Sequence, residues 1–449
     1  VKDVMAPVIN GGAKSEYLLA SRSLGIMPIS LSIAAAWMWA PALLVAATLG
    51  YVYGFWGVFW FSVPNIAAVL LFGPVAARAR SRLPSGATYS GFQRQAHSRR
   101  VMGLFMAQDA MALFTNMLAN AVAGGFVVSY VFGLPLAWGV AGVLVIPLLY
   151  TLPGGFRIST VTDLFTMAAI LGVVLVVAVL TIGTASASTL MAGWGGDAGY
   201  GAAFIAAGLG MTLTVHLLAA PYSDQTLWQR AWAARPGDVR RAFLLGGLFF
   251  APVPILCGAV GMVAAGSGLV LDNPQAALFA GAEEWLGSLA VTALALAVLL
   301  AVVDTIDSCM SAVSAFVSDD NTVGWSVRRG QAVMVGMTAV VGAVALIPGI
   351  TIFGVQLAYS AVSGSTLLPG LMSLFRARLP AERAVFWGMV AGAVIGAPVF
   401  FVGLTNGDDI VTAWGILLTV GVSGVVTWGM DRIISRTEMR STPERIVLT

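Results

Sequence analysis

Charge is what this sequence has least of. Of its 449 residues only 10% are Asp, Glu, Lys or Arg and 59% are hydrophobic, against about 25% charged in a soluble domain. So little polar surface cannot cover a water-facing globule of this length, which excludes a soluble enzyme and a disordered linker. Cysteine is nearly absent too: Cys257 and Cys309 both sit in apolar runs, so no disulfide framework is expected. Neither a phosphate-binding loop nor a dinucleotide fingerprint occurs, and no Ser-His-Asp order lies in a soluble context. Catalysis therefore has no candidate constellation, and no organic cofactor is expected. A cleavable signal pattern is missing as well. The first long apolar run begins near Ile26 and extends past any processing site, so it reads as the first span of the mature protein.

What the chain has in quantity is apolar sequence punctuated by 52 glycines and 19 prolines, a mixture at home inside membrane helices. Apolar runs lie near 26–50, 54–76, 101–130, 135–151, 158–182, 201–220, 240–265, 285–317, 331–348, 351–375, 384–403 and 409–430. Most are close to the roughly 20 residues that cross a bilayer, which predicts an all-α integral membrane protein of about twelve helices. Twelve spans divide the connections into two sets. One set, with both termini and the helix ends beside it, carries all 23 Lys and Arg residues, among them Arg78, Arg99, Arg240, Arg328 and Arg376. The other carries Asp197, Asp272, Glu283, Glu284, Asp408 and Asp409. The positive-inside bias puts the basic set and both termini in the cytoplasm, with a bacterial cytoplasmic membrane as the expected location. Basic residues scattered over many short loops without aromatic interleaving argue against a nucleic-acid partner.

Four acidic side chains remain inside apolar spans: Asp109, Asp163, Asp304 and Asp307. A carboxylate facing lipid costs about 2.5–3.5 kcal/mol on insertion scales, so each should face the bundle interior or an aqueous cavity. No Lys or Arg lies at membrane depth, Arg240 and Arg241 standing at the very end of their run, so no fixed cationic partner is expected there, and the imbalance invites a bound cation or protonation. In Ala301-Val302-Val303-Asp304-Thr305-Ile306-Asp307-Ser308, helical periodicity gathers 301, 304, 305 and 308 on one broad face, with Asp307 about 60° away. Hard oxygen ligands of this kind suit Na⁺ or a proton; a polar seam bonding to a neighbouring helix is the competing reading. Asp163 either couples to an ion or caps its helix. Asp109 lines a cavity or bonds between helices, and His216 contacts solute or is a satisfied structural histidine.

The first span is also irregular. Trp37, Trp39 and Pro41 stand at mid-membrane depth, and Pro41 both lacks an N–H and crowds the carbonyl four residues earlier. This predicts either an interrupted helix with freed carbonyls near Trp37, able to face an ion, or an aromatic-packed proline kink. The 201–220 span, with Gly201, Gly208 and Gly210 before Pro221, is a second candidate for interruption.

These same stretches resemble the sodium:solute symporter family. Glu16 to Gly25 looks like the family's Tyr-Phe-Leu-Ala-Gly-Arg-Ser-Leu-Gly lead into its first core helix. Tyr150-Thr151, Gly154-Gly155-Phe156 and Thr162-Asp163 resemble its fifth-helix signature. Asp224-Gln225 with Trp228 to Ala231 looks like the loop after its sixth helix, and Asp304 to Ser308 resembles its eighth-helix Ser-Thr-Ala-Asp-Ser pattern. The resemblance implies a LeuT-like core of two inverted five-helix repeats, here 26–182 and 201–375. A cytoplasmic N-terminal segment (1–25) precedes them; two peripheral helices (384–430) and a cytoplasmic tail (431–449) follow. It implies a sodium site at the carbonyls of Ala35, Met38 and Ala301 with the side chains of Asp304 and Thr305. A second sodium or proton site would use Asp163, Asp304, Asp307 and Ser308, and Trp37, Trp39, Asp109 and His216 are candidates for solute contact.

Three departures stand out. Asp304 replaces the family's usual serine, adding a charge that either tightens sodium binding or makes the site proton-responsive. The family's extra helix before Tyr17 is either missing or lies upstream of this start. Trp39 occupies a position where a small or polar residue is common. The expected function is sodium-coupled import of a small polar organic solute across the lipid bilayer by alternating access. Proton coupling and an uncoupled channel or facilitator are the alternatives.

Overall fold

The computed structural model describes residues 13–319 and 326–441, and among these every regular element is helical. Parts of the terminal segments and of the 318–330 connection therefore lie outside the described residues. Among the described residues, eight helices are long and apolar enough to cross a membrane. They are Ala40–Arg82, Arg99–Phe132, Leu136–Thr184, Ala202–Ser223, Val239–Gly266, Ser288–Phe316, Glu382–Asn406 and Asp409–Arg436. Shorter apolar helices include Ile26–Trp37, Val327–Ala345 and Ile352–Ser363. The architecture is an all-α, multi-spanning membrane fold.

The two longest helices, of 43 and 49 residues, would each reach about 65–75 Å if straight, over twice the hydrocarbon thickness. Neither is straight. Gly54 (φ 60°, ψ −142°) and Gly155 (φ 55°, ψ −149°) each join two helices across a kink, where the sequence separates spans. Glycine is required at both. A Cβ on Gly54 would stand 2.0 Å from the Trp194 carbonyl oxygen, and one on Gly155 2.5 Å from that of Tyr17.

The first apolar helix breaks as its tryptophan-proline stretch allows. Ile26–Trp37 stops, Met38 (φ −88°, ψ 56°) and Trp39 leave the helical region, and a new helix starts at Ala40. Pro41 falls in the first turn of that new helix, where its missing N–H has no helical acceptor to lose. The orphaned N–H of Ala40 is capped from another helix, by Asn120 Oδ1 at 2.9 Å. The Ala202–Ser223 span is irregular too. It contains a π-helical turn at Ala206–Gly210, tightens into a 3-10 turn at Ala220–Ser223, and gives way to extended backbone at Asp224. Ser288–Asp319 packs against Ile26–Trp37, Arg99–Phe132 and Leu136–Thr184, which places its polar stripe at the centre of the bundle.

Candidate functional site

A cavity of about 20 Å³ opens at the helix break. It is lined by Trp37 and Trp39 from the break, Asn116 from Arg99–Phe132, Ala220 and Asp224 from the second irregular span, Thr305, and Gln356 and Tyr359. The break is held from outside: Trp37 Nε1 donates to Asn65 Oδ1 at 2.6 Å, and the rings of Trp37 and Trp39 tilt against each other at 6.2 Å. Asp224 Oδ1 accepts from Thr226 N (2.8 Å) and Thr226 Oγ1 (2.6 Å), capping helix Gln225–Ala233. Trp39 Nε1 and Gln356 Oε1 are buried without partners, so the cavity wall carries an unused donor and an unused acceptor.

Beside this cavity lies a buried polar cluster, and its composition corrects two expectations. Asp163 does not cap a helix; it sits well inside one, fully buried. It also has a fixed cationic partner: Arg230 Nη2 lies 2.9 Å from Asp163 Oδ2, with both side chains wholly excluded from solvent. Sequence reading placed Arg230 in a connecting loop. In the fold, helix Gln225–Ala233 tucks into the bundle, and Tyr89 and Trp228 stack at 4.3 Å where it packs. The guanidinium bonds through all three of its nitrogens. Nε donates to Ser32 O and Ser32 Oγ (2.8 Å each), Nη1 to Thr226 O (3.1 Å) and Nη2 also to Ser308 Oγ (2.9 Å). Ser32 in turn donates its hydroxyl to Asp163. One arginine thus ties the broken first helix to the 136–184 and 288–319 helices.

Asp304 and Asp307 are both buried in this cluster. Asp307 is well solvated by the protein: it accepts from Tyr150 Oη (2.7 Å), Ser159 Oγ (2.7 Å) and Thr162 Oγ1 (3.0 Å). Asp304 accepts only from Thr166 Oγ1, at 2.5 Å. Asp163 Oδ1 and Asp304 Oδ2 have no hydrogen-bond donor, and the two carboxyls adjoin each other. Among the described residues no group of three or more His, Cys, Asp or Glu side chains converges on one metal position. Of the remaining sodium-site candidates, the Ala35 carbonyl accepts from Met38 N (2.9 Å) at the break, and the Ala301 carbonyl from Thr305 Oγ1 (2.9 Å).

His216 and Asp109 are both buried but do not line the cavity. His216 Nε2 lies 2.9 Å from Gln356 Nε2, one residue removed from it. Asp109 sits on the same helix as Ala112 and Asn116, which do line it. The residues that sequence reading missed are neutral amides and a phenol: Asn65, Asn116, Asn120, Gln356 and Tyr359. A search for amides within apolar runs would have found most of them.

The N-terminal signature proves to be a clasp. Tyr17 Oη donates to Leu152 O (3.0 Å), just before the Gly155 kink, and Glu16 pairs with Arg157 just after it. Arg22 donates to Gly86 O (2.7 Å) and Ser85 O (2.8 Å), and the Arg235 N–H donates to Leu24 O at 3.1 Å.

Comparison with known proteins agrees with this arrangement. The model of the sodium:solute symporter family matches residues 17–193. A probable urea active transporter of Schizosaccharomyces pombe is 27% identical over 283 residues, covering 57% of this chain and 42% of that protein. A urea-proton symporter of Oryza sativa subsp. japonica is 26% identical over 437 residues, covering 85% and 60%. The chain thus spans about two fifths to three fifths of the length of these curated relatives. Among solved structures, a Na⁺-coupled sialic acid symporter in a substrate-bound outward-open state superposes with a TM-score of 0.75 at 11% identity, covering 94% of both chains. The inward-facing form of the transporter Mhp1 gives 0.60 at 16% identity, covering 93% of this chain and 95% of that one. The signature residues, the family match over residues 17–193 and the broken first helix agree, so this part of the chain is similar to the sodium:solute symporter family and the chain as a whole shares the fold of these solved membrane transporters.

Proposed function

We propose that this protein is a secondary active importer of a small, neutral, planar amide-type solute, with urea the first candidate, driven by inward movement of a cation. The observation that carries the reading is the central cavity. At about 20 Å³ it exceeds the roughly 10–15 Å³ that a single water needs, but not by much, so it suits a solute of a few heavy atoms. Its wall offers a carboxylate and the Gln356 carbonyl to N–H donors, and the Trp39 indole N–H to a carbonyl. The curated relatives named for urea transport support the same solute class.

Coupling is assigned to Asp304. Three buried carboxylates face one buried guanidinium, so the cluster carries uncompensated negative charge unless a cation or proton joins it. Sodium is the first reading, because the positions that the family resemblance assigns to the ion, Asp304, Thr305 and the carbonyls of Ala35, Met38 and Ala301, would all offer it oxygen. A proton is the second, favoured by the adjoining carboxyls of Asp163 and Asp304 and by the relative named a urea-proton symporter. One charge crossing about 100 mV supplies about 2.3 kcal/mol, enough for roughly a 50-fold solute gradient. The reading includes twelve crossings in two inverted repeats, cytoplasmic termini, and residence in a bacterial cytoplasmic membrane.

Proteoliposomes given labelled urea test this directly. A sodium jump at fixed pH, or a pH jump without sodium, should drive transient accumulation above the bath concentration. Simple equilibration under both gradients would show a channel and overturn the proposal.

A further inference from the structure

A second cavity, of about 250 Å³, lies on the acidic-loop side of the bundle. Tyr53, Thr212, Leu357 and Asp409 are among its walls. Thr212 is 3% exposed, and its hydroxyl has no partner. The helix backbone reaches unusually close here: a Cβ on Gly208, within the π-helical turn, would stand 2.6 Å from Asp409 Cβ. Turns of this type often mark functional positions.

The two cavities share two helices. Along Ala202–Ser223, Thr212 lines the outer cavity and Ala220 the central one, eight residues or about 12 Å apart. Along Ile352–Ser363, Leu357 faces the outer cavity while Gln356 and Tyr359 face the central one. Midway between Thr212 and Ala220, His216 meets Gln356 at 2.9 Å. Thr212, His216 and Ala220 recur every fourth residue on a single helix face.

We propose that the outer cavity is a loading site for the same small amide-type solute, and that the His216–Gln356 pair is the closed polar latch between it and the central cavity. This rests on the solute class and orientation proposed above. The Asp409 carboxylate and the unused Thr212 oxygen accept N–H groups, and Leu209, Phe353, Leu357 and Leu404 supply an apolar portion of the wall. The solute then advances about two helical turns when His216 and Gln356 part.

Urea uptake in proteoliposomes tests the site. Thr212→Val and Asp409→Asn should each raise the half-saturating concentration about fivefold, the worth of one lost hydrogen bond, with the maximal rate nearly unchanged. Unchanged half-saturation in both variants overturns the loading site while leaving the transport function standing. A second measurement does not need transport. Cys257 and Cys309 are buried, so in Leu404→Cys, at the cavity wall, the new thiol alone faces a charged methanethiosulfonate reagent in the bath. Urea or acetamide should slow its labelling, and Asp409→Asn should abolish that protection. Absence of protection by either compound, or protection by sodium chloride alone, overturns the assignment. Protection without any urea uptake would sustain the site and refute the transport proposal.

Discussion

Replacing Arg230 by methionine removes the one guanidinium found at the centre of the polar cluster. The side chain donates to five acceptors, Ser32 O, Ser32 Oγ, Thr226 O, Asp163 Oδ2 and Ser308 Oγ. Both members of its ion pair are fully buried. Deleting one partner of such a pair leaves an uncompensated charge, which costs about 3–5 kcal/mol, or roughly a hundred- to several-thousand-fold in the folding equilibrium. Asp163→Asn alone should be similarly damaging. In the double variant neither charge is left stranded, so its loss should fall short of the sum by about 2–3 kcal/mol. Reversible denaturant titration of the purified protein in mixed micelles, over the complete double-mutant cycle, measures this. Additive losses, or a loss below about 1 kcal/mol for Arg230→Met, would mean that the pair is solvated or unformed and would refute the reasoning.

Three further outcomes follow from other parts of the structure. If Asp304 is ionised and cation-bound during the cycle, Asp304→Asn abolishes coupled accumulation; wild-type uptake by Asp304→Ser with unchanged ion dependence at about pH 6 and pH 8 would defeat the assignment. Gly155→Ala combines a left-handed φ with a Cβ placed 2.5 Å from the Tyr17 carbonyl oxygen, so it should lose about 2 kcal/mol or more. Gly103→Ala, with nothing within 4 Å, should be neutral or stabilising by comparison of thermal midpoints. At the basic-loop end, burial pushes the His97 imidazole below the usual histidine range, partly offset by Glu382, and its Nε2 lies 2.9 Å from Ser373 Oγ. The folded chain holds His97 neutral where the unfolded chain takes up a proton, so this stability is present above the unfolded pKa. It is lost as the pH falls from there to the lowered folded value. The drop in thermal midpoint between about pH 7.5 and 5.5 should therefore be smaller in His97→Gln than in the parent; an equal drop would contradict it.

The helix break at Trp37–Pro41 was readable because proline's chemistry is local: the missing N–H and the ring clash act within one turn of the residue that causes them. Gly54 and Gly155 were less explicit. Glycine permits a kink without requiring one, and the need arises from Trp194 and Tyr17, distant in the chain. Asp163 was recognised as anomalous, yet its partner was missed. Arg230 lies beyond the apolar runs, and only the inward tuck of Gln225–Ala233 brings it to Asp163. Gln356 and Asn120 were overlooked for a different reason. An uncharged amide barely alters the hydropathy of an apolar span, although its hydrogen bonds are as binding as a carboxylate's once water is excluded.

By itself, the sequence determined the membrane as solvent, the helical character of the spans, the separation of basic from acidic connections and the identity of the buried carboxylates. Each of these follows from composition and periodicity along a short stretch of chain. Tertiary structure alone decided which carboxylate has a cation beside it, which amides cap the broken helix, and how little room the central cavity leaves. Those outcomes depend on contacts across dozens to hundreds of residues, from Ser32 to Arg230 and from His216 to Gln356, and such distances are set by packing rather than by any local pattern.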